Sequence, residues 1–550
     1  MTVGARSEAQ DKERKARGAY FTPAPVAEFI TEWAVRSSGD LVIDPSCGDA
    51  AFLVPAVMRL RALGALDPVV HGVEIHGASA ADAGIRVTQA DGRAQIRVAD
   101  FFDLDDGRRY DAVVGNPPYV RYQGFTGPAR SRARRAALRA GVSLSSLASS
   151  WAAFVVHAAS VLKPGGRLGM VLPAELLSVN YAAPVRRFLF EHFGSVELVL
   201  FERQVFDDAE TDTVLLLADQ CGRSTTSAAI RRVHRSSDLV DLPEPVTRTP
   251  VSPEAKWTDL LVSPDVMGIL ARLKKSGAFA GLGYWGRIRL GAVTGNNKYF
   301  ALSAARAAEL GLATDDLMAI SPPGSGHLRG LEFTCEQFAG LRESGRSVLL
   351  FRPQDPLDRA ARKYVSAGCE AGINEAYKCR VRTPWYRVPV LETPDLFLTC
   401  MNADTPRLTT NEAGVRHLNS VHGVYLFPDI QESGRTYLPI ASLNSVTLLD
   451  AELSGRSYGG GILKIEPREA VRWLVPSETL VSDAAHGLDS VREEVVEALG
   501  NGRLLDAVAL VDSVLLGAGD AMTPVDLRMI RSAAADMAQR RITRRSGDGR

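Results

Sequence analysis

Net charge is the first thing this sequence lacks. Its 64 basic and 64 acidic side chains cancel over 550 residues. The chain as a whole is therefore no polycation, and any surface for a polyanion must be local. Cysteine is scarce as well: Cys47, Cys221, Cys335, Cys369, Cys379 and Cys400 are scattered without Cys-x-x-Cys or Cys/His ligand spacing. That pattern argues against structural zinc and a disulfide framework, points to no metal ligands, and fits a reducing, cytoplasmic setting. No run of eighteen apolar residues is present, so no membrane span is expected. Met1 to Arg17 is polar and charged, without the apolar core of a signal peptide. There is no internal repeat, and neither a GxGxxG turn nor a Walker lysine to cradle a phosphate. The length predicts two to four domains.

What the chain does hold is an alternation of short apolar runs with helical patterns. After the polar lead, Val26, Phe29, Ile30 and Trp33 fall at helical spacing within Pro25 to Val35. Leu41 to Ile43, Val69 to Ile75, Gln95 to Val98 and Asp111 to Gly115 read as short buried strands. A helix over 151–162 stops at Lys163-Pro164-Gly165-Gly166, and further strands are Arg167 to Leu172, Val196 to Phe201 and Thr213 to Ala218. Strands alternating with helices predict an α/β, doubly wound, mainly parallel Rossmann-like sheet. Residues 220–255, rich in Ser, Thr, Arg and Pro, read as a linker or peripheral crossing. From Trp257 to about Ala485 the alternation gives way to short apolar runs among Gly, Pro and aromatics, the pattern of a mixed α+β domain. Leu488 to Arg545 is helical and ends in Arg540, Arg541, Arg544 and Arg545. The expected division is 1–222, 223–485 and 486–550.

The chemistry-bearing residues fall at the strand ends. Asp44-Pro45-Ser46-Cys47-Gly48-Asp49-Ala50 is a strand–Gly turn–helix, the place where open α/β sheets bind cofactors. Glu74 ends the second strand and Asp100-Phe101 the third. The fourth runs into Asn116-Pro117-Pro118-Tyr119. Each proline fixes its own φ and extends its predecessor, and neither offers an N–H to a nearby carbonyl. A rigid pair of acceptors beside an aromatic ring suits a planar amino group on a heteroaromatic ring.

This tetrapeptide resembles the signature of S-adenosylmethionine-dependent amino-methyltransferases, and that superfamily's neighbouring motifs follow in order. With Tyr20-Phe21-Thr22-Pro23 ahead of the glycine turn, the chain resembles the gamma-class DNA adenine-N6 methyltransferases of type II restriction–modification systems. The resemblance implies residues 1–222 as a methyltransferase catalytic domain, 223–485 as a target-recognition domain and 486–550 as a helical segment with a basic tail. It implies S-adenosylmethionine as cofactor, held by Tyr20, Phe21, Thr22 and Pro23, by Asp44, Pro45, Ser46, Cys47 and Gly48, by Glu74 at the ribose, and by Asp100 and Phe101 at the adenine. The catalytic set it implies is Asn116, Pro117, Pro118 and Tyr119, with Phe206 closing the other face of a flipped base. The family pattern places a second glycine where this chain has Ala50, which matters if that position needs φ > 0.

Arg121, Arg130, Arg132, Arg134, Arg135 and Arg139 make an Arg-dense loop between Tyr119 and Leu147. Beside a base-accepting motif it is expected to contact phosphates rather than form a solvated helix face. Residues 293–300, 377–386 and 458–467 also resemble segments of larger gamma-class DNA adenine methyltransferases. The implied partners are double-stranded DNA and, functionally, a cognate restriction endonuclease, in the bacterial cytoplasm with no membrane. The same chemistry on RNA, on protein glutamine or on cytosine-N4, and a catalytically dead DNA-binding relative, remain alternatives. A fused nuclease is not expected: no room precedes Tyr20, and no PD…(D/E)xK pattern follows.

Overall fold

The computed structural model describes residues 22–104, 107–201, 213–458, 461–517 and 522–543. The chain divides into two compact units, with the first break at Val262/Ser263 and the second unit running from Ser263 to Arg541.

The first unit is built on nine strands: β1 (Val42–Asp44), β2 (Val69–Glu74), β3 (Arg93–Val98), β4 (Tyr110–Gly115), β5 (Leu162–Pro173), β6 (Phe193–Phe201), β7 (Thr213–Cys221), β8 (Ala228–Val233) and β9 (Val246–Arg248). They form one sheet in the order β3-β2-β1-β4-β5-β7-β6-β8-β9. The run from β3 to β5 is parallel, and β7 lies antiparallel between β5 and β6. The central strands are buried on both faces, as a parallel sheet requires. Ile43 and Val113 face one core, with Trp151, Val155 and Phe188; Val42, Ala112 and Val114 face the other, with Ile30, Leu53 and Val87. The first face is covered by α4 (Gly127–Arg139), α5 (Ser150–Ser160) and α6 (Ala183–His192), the second by α1 (Ala24–Ala34), α2 (Leu53–Ala62) and α3 (Gly77–Gln89). This is the doubly wound arrangement expected. α1 buries Val26, Ala27, Ile30 and Ala34, and β5 meets it at Gly169, where a Cβ would lie 2.6 Å from Ile30 Cγ2.

Two local expectations are corrected. Residues 220–255 are not a linker: β8 pairs parallel with β6, and β9 antiparallel with β8. Ala228, Ile230 and Val233 point inward while Arg231 pairs with Glu197 at 2.5 Å, so an arginine-rich run still makes a strand. The first compact unit accordingly runs beyond residue 222. The Arg-dense segment after Tyr119 is also no plain loop, since residues 127–139 form α4.

Chain order steps outward from β1 to β3 and returns at β4 on the other side of β1. The crevice at such a switch point opens at the carboxyl ends of β1 and β4, where Asp44 and Asn116 stand. The second unit carries a five-stranded sheet, smaller sheets, and helices 485–500, 504–515 and 524–543. Among the described residues no helix is long and apolar enough to cross a membrane.

Candidate active site

Asn116 follows directly on β4. Its Nδ2 donates to Thr22 Oγ1 at 3.2 Å, and its Oδ1 accepts from the Tyr119 hydroxyl at 2.6 Å. Its own carbonyl accepts from the Ser46 hydroxyl at 3.3 Å. Three segments that are far apart in sequence thus meet on one residue: the Thr22-Pro23 lead, the glycine turn and the tetrapeptide. The Tyr119 hydroxyl also lies 3.0 Å from the Val171 carbonyl, so its one proton is shared between two acceptors. The tetrapeptide is clamped from behind by Ser150, the first residue of α5. Its hydroxyl donates to the Pro118 carbonyl and accepts from Val120 N–H at 2.9 Å, while its own N–H donates to the Val120 carbonyl at 3.0 Å. Among the described residues no hydrogen bond reaches the Pro117 carbonyl.

The glycine turn wraps two carboxylates. Asp44 is 1% exposed and accepts from Ser46 N–H at 2.9 Å. Burial pushes its carboxyl up to about 8 against that bond, and the negative Glu74 and Asp49 add to the rise. Gly115 is needed here because a Cβ would sit 2.7 Å from Asp44 Oδ1. Glu74, at the end of β2, accepts from Gly48 N–H at 3.0 Å and from His76 N–H at 2.8 Å. Cys47 is buried, its N–H on the Val73 carbonyl, and burial raises its thiol well above the ordinary range. The departure at Ala50 is real: it adopts φ 71° and is buried. An L-residue in that region costs roughly 1–2 kcal/mol, which this turn carries.

At the end of β3, Asp100 Oδ1 accepts from Phe102 N–H at 3.1 Å. Phe101 is 2% exposed, stacked on Phe154 at 5.5 Å and against His157 at 4.6 Å. Its ring belongs to the core, so the expected ring-on-ring contact with a ligand is not presented. Pro23 caps α1, its carbonyl accepting from Val26 and Ala27, and Pro45 and Pro117 are buried. Tyr20, Phe21 and Phe206 lie outside the described residues.

With this geometry in view, residues 7–229 match the family described as N-6 DNA Methylase. Residues 254–516 match that described as Type II methyltransferase M.Eco57I, C-terminal domain. The two matches, with relatives that run along most of the chain, support a DNA adenine methyltransferase. It is 22% identical to the Type II methyltransferase M.AccI of Acinetobacter calcoaceticus, covering 83% of this chain and 85% of that one. M.XamI of Xanthomonas campestris pv. amaranthicola is 25% identical, covering 84% and 85%. Among solved structures, the Type IIL restriction-modification enzyme MmeI in complex with DNA shares the fold at 12% identity, with a TM-score of 0.57 over 91% of this chain and 73% of that one.

Two residues of this methyltransferase that sequence reasoning misjudged stand beside the crevice. Arg132, expected to touch phosphate, instead turns inward from α4. Its Nε and Nη2 lie 2.9 and 2.8 Å from Asp100 Oδ2, and its Nε 3.6 Å from Asp103. Arg134, Arg135 and Arg139 remain exposed on the same helix. Ser150 was passed over; the available signal was Ser149-Ser150 directly ahead of an apolar helix, a helix-start pattern. No group of three or more potential metal ligands occurs among the described residues.

Proposed function

We propose that this methyltransferase moves a methyl group from S-adenosylmethionine to N6 of an adenine flipped out of double-stranded DNA, in the motif order of the gamma class. The observation that carries the reading is Asn116: its amide nitrogen is tied to Thr22, so its oxygen is aimed at Tyr119 and the crevice. The donor set fits a cationic cofactor. Buried Asp44 sits close enough to Glu74 and Asp49 for their charges to oppose its ionisation, and a positive ligand would relieve that repulsion. Thr22, Pro23 and the Asp44–Gly48 turn would hold the methionine end, Glu74 the ribose and Asp100 the adenine amine, with Tyr20 and Phe21 completing the lead. S-Adenosylmethionine supplies an electrophilic methyl group when bound.

The protein's own part is positioning. An exocyclic aromatic amine is a poor nucleophile because its lone pair is delocalised. Acceptance of its hydrogens by Asn116 Oδ1 and the Pro117 carbonyl localises that pair, so catalysis is chiefly orientation plus electrostatics. Tyr119 stacks on the base and Phe206 closes its other face. The target atom is unreachable inside a duplex, so the base must leave the stack. The second unit reads the target sequence, a role supported by its match to the C-terminal domain of a Type II methyltransferase. Host DNA so marked is protected from a cognate endonuclease, in keeping with the Type II relatives.

Single-turnover transfer with cofactor and DNA saturating tests the reading. Asn116→Ala is expected to lose about 10²–10³ in rate, the typical effect of one preorganised transition-state bond. Asn116→Asp is expected to lose less, because a carboxylate still accepts. Near-normal turnover by Asn116→Ala would remove the mechanism.

A further inference from the structure

Segments 293–300 and 377–382 of the second unit play no part in the chemistry above, yet they are bolted together. Cys379 is fully buried and donates its thiol to the Thr294 carbonyl at 3.6 Å. Arg382 Nη2 donates to the Val293 and Thr294 carbonyls at 2.5 and 2.7 Å, with its guanidinium 5.9 Å from the Phe300 ring centroid. Gly295, at φ 89°, lets the segments close: a Cβ there would lie 3.1 Å from Lys378 Cβ and 3.2 Å from Cys379 Sγ. The short helix Tyr377–Arg380 is therefore held firmly by its inward side.

Its outward side is unusual in combination. Tyr377 and Val381, four residues apart, are 65% and 61% exposed. Lys378 and Arg380 are exposed beside them, and the Lys378 ammonium stands 5.6 Å from the Tyr377 ring centroid. Between Glu375 and Arg382 there is one anion against three cations. A single exposed apolar side chain needs no explanation. A rigid, cationic turn that projects a tyrosine ring and a valine into water is complementary to a polyanion whose bases and sugars offer apolar faces.

We propose that the Tyr377–Val381 turn is a contact for double-stranded DNA: Lys378 and Arg380 take backbone phosphates while the Tyr377 ring packs on a base or sugar face. The inference rests on the DNA reading above and assigns it a place in the second unit. The test is anisotropy titration of a fluorescein-labelled duplex carrying the methylated sequence, with the full chain, across a salt series. Lys378→Ala/Arg380→Ala is expected to flatten the slope of log affinity against log salt by about 1.8, the counterion release of two phosphates. Tyr377→Ala is expected to weaken binding about 5- to 150-fold with the slope unchanged, and Tyr377→Trp to restore it. All three side chains are exposed, so thermal melts should match the parent. Unchanged affinity and slope in every variant, while the parent binds and methylates the duplex, would overturn this contact alone. A parent that neither binds nor methylates duplex DNA would overturn the DNA reading and the contact with it. A change in oligomeric mass in Tyr377→Ala, with DNA binding unaltered, would mark a protein-facing surface and overturn it too.

Discussion

Arg132 decides between two uses of a positive charge, and its removal separates them. Its guanidinium meets Asp100 at 2.8 and 2.9 Å, with side chains 35% and 15% exposed. Charge-assisted hydrogen bonds contribute roughly 1.5–3 kcal/mol when sheltered, and exposure of the arginine discounts that through solvent screening. Arg132→Ala is therefore expected to cost about 1–2 kcal/mol of stability, or about 2–8 °C for a unit of this size. The freed carboxylate keeps its bond to Phe102 N–H but loses the partner that fixes its second oxygen. If Asp100 takes the adenine amine, cofactor affinity should fall by about 5- to 30-fold, read by calorimetric titration with S-adenosylmethionine. DNA binding should hold its salt slope, because the Arg132 charge is already spent on Asp100. Arg134→Ala/Arg135→Ala should do the reverse, lowering the slope by about 1.8 and leaving cofactor affinity intact. A slope reduced by nearly one in Arg132→Ala, with normal cofactor affinity, would refute the assignment.

Ser150→Ala removes the hydroxyl that bridges the Pro118 carbonyl and Val120 N–H. Transfer is expected to fall on the order of 10- to 100-fold through misplacement of the tetrapeptide, with cofactor affinity unchanged in calorimetry; equal losses in both would place Ser150 elsewhere. Asp44 has a folded carboxyl raised from 3.8 to about 8, so the stability it contributes is complete below pH 3.8 and is lost as pH rises through 8. Asp44→Asn should therefore melt higher than the parent at pH 8 while losing cofactor binding, and a lower melt at that pH would contradict the burial argument. In the second unit, burial lowers His417 and His327 to about 4, and lowers His422 as well. These rings are neutral in the fold, so stability present above pH 6.5 should decline as pH falls toward 4, by roughly 3 kcal/mol for His417. A melting temperature flat across that window would refute it.

The sheet was legible because its strands are short apolar runs that end in polar punctuation: Asp44, Glu74, Asp100 and Asn116 all stand at strand ends. What failed to show in sequence failed for identifiable reasons. α4 buries only Ala133, Ala136 and Ala137 against the sheet, side chains too small to mark an apolar face among five arginines. β8 hides behind Arg231 and Arg232, whose charges are met across the strand by Glu197 and by the Leu261 carbonyl. The destination of Arg132 depended on Asp100, thirty-two residues upstream, and nothing in local composition distinguishes it from Arg134. Phe101 looked like a ligand wall from its place after Asp100, yet Phe154 and His157 of α5 take its ring. The φ of Ala50 was legible only as a condition: the glycine turn fixes a left-handed residue there, and alanine bears the strain.

The resting arrangement of the tetrapeptide bears on how an acceptor can be kept ready. A buried acceptor without a partner costs roughly 1–3 kcal/mol, and an acceptor left to water would arrive at the reaction solvated. Asn116 Oδ1 avoids both, because the Tyr119 hydroxyl occupies it at 2.6 Å while Thr22 holds the amide nitrogen. An incoming amine then exchanges one hydrogen bond for another, and the Tyr119 proton has the Val171 carbonyl at 3.0 Å to fall back on. The swap leaves the Asn116 amide and the Tyr119 hydroxyl paired at both ends of the movement. The ring that releases the acceptor is also the ring proposed to stack on the base, so one displacement of Tyr119 serves both tasks. Tyr119→Phe keeps the stacking ring and removes the competing hydroxyl. On this argument it retains substantial transfer, whereas Tyr119→Ala loses base–aromatic stacking worth about 1–3 kcal/mol and turns over slowly even though its acceptor stands open.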